Sequence, residues 1–211
     1  MSYVTKAKDS FKTKINLFIY YSVSHGKNDF TFEDFKSFSI DRQLVEEYTT
    51  IYWQEAVDFK IRNKTIREIE FQITKFEKEN IEFIKQCESW YIKEVFPKIF
   101  PVGDFEAMIK ADKCFYCGIT TKEITQLANL RKLRKKNLRG WSLEIDRLDS
   151  NYEYTPQNCE MCCYWCNNAK TDEFTPTEFK FIGQMIGNIW NTRLRASRFV
   201  DDGAGITVIK K

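Results

Sequence analysis

Two cysteine pairs, Cys114-Phe-Tyr-Cys117 and Cys163-Tyr-Trp-Cys166, constrain this chain more than any other feature. Two residues between cysteines bring two thiolates onto one short turn, and two such turns supply the four sulfurs of a tetrahedral metal site. Residues 118–162 separate the pairs, a gap of 45 residues, where a simple finger leaves roughly 15–20. Whatever lies between is therefore a module that the metal closes. Zinc is the expected ion, in a structural role, since four thiolates leave no open coordination position. The plain alternative is four buried free thiols, and it is the weaker one because pairs at this spacing seldom arise from packing alone. Cys159 and Cys162 lie close enough to compete, although Cys162 has no cysteine three residues on.

All seven cysteines follow an N-terminus without a secretory pattern, and reducing compartments keep thiols free, so metal is expected rather than disulfides. No run of about 18 apolar residues occurs, which argues against a membrane span and for a soluble, cytoplasmic protein. With 211 residues, 43% hydrophobic and 16% aromatic, a real core can be buried.

Charge is unevenly placed. Residues 1–100 carry 16 Lys and Arg against 16 Asp and Glu, and residues 101–211 carry 17 against 14. The informative part is a stripe of Arg131, Lys132, Arg134, Lys135, Lys136 and Arg139 with no acid among them. Such a stripe is a solvated helix face or a phosphate-binding surface.

Residues 1–100 read as helical, with Gly only at 26 and Pro only at 97. Thr31-Phe-Glu-Asp34 is a helix start, and Asp41 can cap a pattern in which Leu44, Tyr48, Ile51 and Tyr52 recur at helical spacing. Ile66, Ile69, Ile73, Phe76, Phe83, Ile84, Cys87 and Trp90 form an apolar stripe that predicts one long helix from about Thr65 to Glu94, ended by Pro97. Helical spacing makes these aromatics core rather than a base-stacking platform.

From Pro101 the texture changes. A metal knuckle at Cys114–Gly118 is followed by an expected helix over about 121–136. Residues 142–148 alternate as a short strand does, Ser150-Asn151 opens a loop, and a strand or extended turn follows Asn158. A helix is expected from Tyr164, and Thr175-Pro-Thr-Glu178 starts another as a capping box with proline in its first turn. The tail from Asp201 has no pattern.

Between and beyond the sulfurs the order is Glu144-Ile-Asp146-Arg147-Leu, then Asn158, then Cys163-Tyr-Trp-Cys166-Asn167-Asn168-Ala-Lys170. Over about residues 110–175 this resembles the HNH endonuclease family, whose zinc-bearing members place a strand ending in Asp-His, an Asn, and a Cys-x-x-Cys-(Asn/His)-x-x-Lys helix start. The motif register favours Cys163 and Cys166 over their neighbours. The resemblance implies a hairpin and helix, a ββα-metal module, that holds one divalent ion over a scissile phosphate. By it, Asp146 and Asn167 are the ligands of a catalytic magnesium or manganese, with hard oxygens suited to those ions. Asn158 pins the loop, and the zinc is structural. Lys170 either touches phosphate or caps a surface, and the plain alternative for Asp146 is an ordinary salt bridge with Arg147 or another basic residue.

One departure stands out: Arg147 occupies the place of the general-base His. Arginine stays protonated and cannot take a proton from water, but it can clamp a phosphate. A base would then come from His25, the single histidine, from Tyr152 or Tyr154, or from hydroxide on the ion; otherwise the module no longer cuts.

The expected fold is α+β, mostly α: an α-helical region over 1–100, a zinc-stabilised HNH module with C-terminal helices over 101–198, and a loose tail over 199–211. The expected function is metal-dependent hydrolysis of phosphodiester bonds, in DNA by analogy, in a defence or mobile-element setting. Two rivals stand beside it. One is a catalytically silent nucleic-acid-binding module, the other a zinc-held domain in which residues 1–100 recruit a protein partner.

Overall fold

The computed structural model describes residues 2–25, 27, 30–53, 59–133 and 141–201. Arg134, Lys135, Lys136 and Arg139 of the basic stripe, and the tail from 202, lie outside the described residues. The fold is α+β and mostly α, with ten α-helices and one two-stranded sheet among the described residues. No helix there is long and apolar enough to cross a membrane. The chain forms two compact units. The first holds Met1–Phe105 together with Ser150–Asn158, and the second holds Glu106–Asp149 and Cys159–Lys211.

In the first unit α1 (Tyr3–Ser24) is the hub. Ala7, Phe11, Ile15, Phe18 and Ile19 are buried, and Ser10, Lys14 and Leu17 widen that buried face. Val4, Thr5, Lys8 and Lys12 leave one strip of its first turns exposed, whereas Leu17, Phe18, Ile19 and Tyr20 cover the later turns on every side, as in a core helix. Phe18 alone meets Phe30, Phe35, Phe38 and Phe83. Truncating such a ring to alanine costs about 3–5 kcal/mol.

The helices α2 (Phe32–Ser37) and α3 (Arg42–Trp53) start where the sequence places them. Thr31 and Asp34 form a reciprocal capping box, and Asp41 accepts the Leu44 amide at 2.8 Å.

The long helix expected over 65–94 is two helices, α4 (Phe59–Glu79) and α5 (Ile81–Trp90). Asn80 breaks it: its backbone leaves the helical region at φ −122°, ψ 33°. Its amide side chain and its own N–H both bond the Phe76 carbonyl, at 3.0 and 2.9 Å, a local competition with the helix ladder that asparagine favours. Beyond α5 a π-helical turn, Tyr91–Val95, leads into the short α6 (Phe96–Ile99). Pro97 therefore sits in the first turn of a new helix, where its missing N–H costs nothing, instead of marking the end.

The second unit begins in α7 (Val102–Ile109), whose last residues belong to it. The helix expected over 121–136 is α8 (Thr121–Asn129), with a Thr120/Glu123 capping box at its start. It ends at Asn129, where Arg131 takes φ +54°, and 134–136 of the expected span lie outside the described residues. The Arg131 amide then bonds the Ala128 carbonyl and the Lys132 amide bonds that of Leu127, the paired bonds of a Schellman stop without its usual glycine. Arg131 and Lys132 are exposed just past the helix.

Strands β1 (Leu143–Arg147) and β2 (Cys159–Cys163) pair antiparallel, with Ile145 opposite Met161 and Asp146 opposite Glu160. Leu143 and Ile145 are buried while Glu144 and Asp146 between them are half-buried, the period of two that a pleated strand imposes. Helix α9 (Tyr164–Lys170) follows directly, and α10 (Pro176–Asp201) starts on the Thr175/Glu178 box.

Candidate metal centre and active site

The knuckle is built by backbone bonds. The Gly118 amide returns to the Cys114 carbonyl at 2.9 Å, with Gly118 at φ +73°, and the Phe115 amide bonds the Met161 carbonyl at 2.8 Å, which sets the first cysteine pair beside β2. From the other side α9 begins on Cys163, whose sulfur accepts the Cys166 amide at 3.4 Å. Helix α10 closes the arrangement through two glycines. A Cβ on Gly187 would lie 2.5 Å from the Cys117 carbonyl oxygen, and one on Gly183 would lie 2.6 Å from Tyr116 Cβ.

The sulfurs of Cys114, Cys117, Cys163 and Cys166 all lie within 4.8 Å of one another, and those of Cys117 and Cys163 are 3.6 Å apart. A tetrahedral ion with metal–sulfur bonds of about 2.3 Å needs sulfurs about 3.8 Å apart. The cluster fits such an ion and could hold a structural metal. Hydrogen bonds from Cys117, and then from Cys162, Cys163 and Cys166, hold the Cys114 thiol far below its ordinary range. Those to Cys114 push the Cys162, Cys163 and Cys166 thiols up. Sulfurs this close titrate as one coupled group, and metal binding would release the protons they hold.

On the neighbouring face of the hairpin, Glu144 and Asp146 stand one pleat repeat apart, and α9 answers each. Asn167 Nδ2 donates to Glu144 Oε2 at 3.1 Å. Lys170 Nζ lies 3.6 Å from Asp146 Oδ2 and donates to the Arg147 carbonyl at 3.0 Å. Lys170 is 3% exposed, so this residue, expected at a phosphate, directs its ammonium inward. The Cys162 thiol reaches Asp146 Oδ2 at 4.0 Å and also meets Cys114, so it links the sulfur cluster to the carboxylate. Tyr116, between the cysteines of the first pair, buries a hydroxyl with no hydrogen-bond partner among the described residues. Burial first, then the nearby charges of Cys162 and Asp146, raise its pKa.

Asn158 Nδ2 donates to the Glu153 carbonyl at 3.0 Å, pinning the loop on itself. The tyrosines named as possible bases and His25 all belong to the helical unit. The Tyr154 hydroxyl accepts from Lys6 at 3.1 Å, and Tyr152 packs on the cluster of Leu17, Tyr20, Leu44 and Val45. His25 Nδ1 lies 2.8 Å from the Tyr21 carbonyl oxygen.

Sequence reasoning did not single out Glu144, Cys162 as a link, or Tyr116. The alternation at 142–148 places Glu144 on the face of Asp146, and that signal was available. The other two depend on how the knuckle docks on β2.

No protein-family model matches the chain, and no curated protein does. A solved structure that is similar over part of its length is the rare-cutting HNH restriction endonuclease PacI, described as exhibiting an extraordinary mechanism of DNA perturbation. It is 33% identical over 40% of this chain and 58% of its own, at a TM-score of 0.34. The chain thus spans less than two thirds of that protein.

Proposed function

We propose that this chain is a metal-dependent endonuclease that hydrolyses phosphodiester bonds in DNA. The observation that carries the reading is the ββα unit of β1, β2 and α9, which gathers Glu144, Asp146, Asn167 and Lys170 on one side and closes a four-cysteine cluster on the other. The cysteines would hold zinc as a brace. Two carboxylates and an amide oxygen form a hard donor set, which suits magnesium or manganese, with Asp146 and Asn167 as the ligands and Glu144 beside them. A bound ion of that kind supplies Lewis acidity to the phosphate and charge for the leaving oxygen.

The chain's own groups would do the rest. Arg147, always protonated, would clamp a phosphate oxygen and stabilise charge that develops on it. Lys170 would hold Asp146 in place from inside. Asn158 would keep the loop closed, and Arg131 and Lys132, with Arg134, Lys135, Lys136 and Arg139 further along, would contact the DNA backbone.

The test is supercoiled plasmid incubated with magnesium or manganese, beside Asp146→Ala and Asn167→Ala. The reading expects nicking or linearisation by the wild type and at least ~100-fold less in each variant. A specific observation favours a second reading, a silent nucleic-acid-binding module: Asp146 is paired with Lys170 at 3.6 Å. Salt-sensitive duplex binding without any cut would establish that reading in place of the first.

A further inference from the structure

The segment 150–158, which joins β1 to β2, is built into the helical unit and not into the unit that holds the strands. A closed set of hydrogen bonds keeps it there. The Tyr154 amide donates to Ser10 Oγ at 3.0 Å. Ser10 Oγ lies 2.8 Å from Tyr91 Oη, and the Tyr91 hydroxyl donates to the Glu153 carboxylate. Since Glu153 and Tyr154 are neighbours, the chain of bonds starts and ends on the same two residues. One hydroxyl comes from α1 and the other from the π-helical turn after α5, so the loop is tied to two elements far from it in sequence.

Ser10 is fully buried and so is Tyr91. Lys14, one turn along α1 from Ser10, is also buried and acts electrostatically on Glu153. Desolvation lowers the Lys14 pKa and raises that of Glu153. Keeping both charges inside is costly, and apolar contact would hold a loop as firmly. Hydrogen bonds add direction, which packing alone lacks.

We propose that Glu153, Tyr91 and Ser10 are positioning residues for the candidate active site: by clamping the loop on the helical unit they set the strand ends from which Asp146 and Arg147 project. The proposal rests on the nuclease reading for its catalytic half. It gives residues 1–105 a task, as the vice that holds the hairpin loop. Register supports it, since Arg147 pairs with Cys159, so both strands run straight out of the clamped segment.

The experiment uses the full chain with Glu153→Ala, Tyr91→Phe and the conservative Glu153→Gln, which keeps an acceptor for the Tyr91 hydroxyl. Three readouts are taken: bound zinc, amide hydrogen exchange by segment, and kcat and KM for plasmid cleavage. In Glu153→Ala and Tyr91→Phe, exchange over 143–147 and 150–163 is expected to rise about tenfold, while the knuckle at 114–119 and the zinc content stay unchanged. In the same variants kcat is expected to fall about tenfold with KM held, and Glu153→Gln to recover most of it. Unchanged exchange in β1 and β2 overturns the clamp. Faster exchange with undiminished kcat overturns the positioning role. A wild type that cuts nothing defeats the nuclease reading, and the exchange data then decide the clamp alone. If Glu153→Ala does not fold, Tyr91→Phe, which removes one hydroxyl, decides the matter.

Discussion

Asp146 and Lys170 face one another at 3.6 Å with side chains only 13% and 4% exposed, one at the end of β1 and the other at the end of α9. Removing one member of such a pair leaves the other charge buried and uncompensated, a change that costs about 3–5 kcal/mol. Lys170→Met is therefore expected to destabilise the chain by that amount in denaturant unfolding. Lys170→Met combined with Asp146→Leu is expected to recover at least half of the loss. A Lys170→Met variant as stable as wild type would contradict the pairing.

The two glycines of α10 make a second prediction. Gly187→Ala drives a methyl group into the Cys117 carbonyl, a backbone atom that cannot swing aside. We expect a loss of about 1–3 kcal/mol or more, together with weaker zinc retention. Gly103→Ala, in α7 with none of the described residues within 4 Å of the new carbon, is expected to be neutral or to stabilise by up to about 1 kcal/mol. Thermal unfolding of the two variants side by side checks both signs.

Tyr116 carries a buried hydroxyl without a partner among the described residues. A polar atom desolvated and unpaired costs about 1–3 kcal/mol, so Tyr116→Phe is expected to raise stability by about 1 kcal/mol while leaving zinc content unchanged. A fall in stability on calorimetry would mean that the hydroxyl is satisfied in solution.

Glu153 gives a pH dependence with a definite sign. Burial, the largest cause, raises its pKa above the ordinary 4.5, against the smaller opposing effects of the Tyr91 hydrogen bond and Lys14. Its protonation therefore favours the fold: the contribution is full below 4.5 and is lost as pH rises through the raised value. The stability of wild type minus that of Glu153→Gln should grow as pH falls from 7 toward 4.5. A difference that stays flat or shrinks over that window would contradict the buried carboxylate.

How much of this was legible depended on the range of the interaction. The capping boxes at Thr31/Asp34 and Thr175/Glu178 are bonds across three residues, and they stand where the sequence placed them. The alternation of Leu143 and Ile145 with Glu144 and Asp146 is equally local. Asn80 and Arg131 were not legible. Each stops a helix without proline or glycine, Asn80 by competing for the Phe76 carbonyl and Arg131 by entering the left-handed region. The inward turn of Lys170 and the bond from Tyr154 to Ser10, 144 residues away, were also hidden, because they exist only once distant elements are packed. The four cysteines sit together as their spacing implied, whereas the pairing of Asn167 with Glu144 needed the helix set against the strand.

On the proposed reading two kinds of metal do two jobs: zinc would brace the fold through the cysteines, and a separate, readily exchanged divalent ion would support phosphodiester cleavage. The most direct measurement is dialysis of the purified protein against a mild chelator, with zinc quantified by mass spectrometry and plasmid nicking assayed before and after magnesium is returned. The account predicts one zinc per chain retained throughout, cleavage abolished by the chelator, and cleavage restored by magnesium or manganese alone. Cleavage that survives the chelator, or that returns only with zinc, would contradict it.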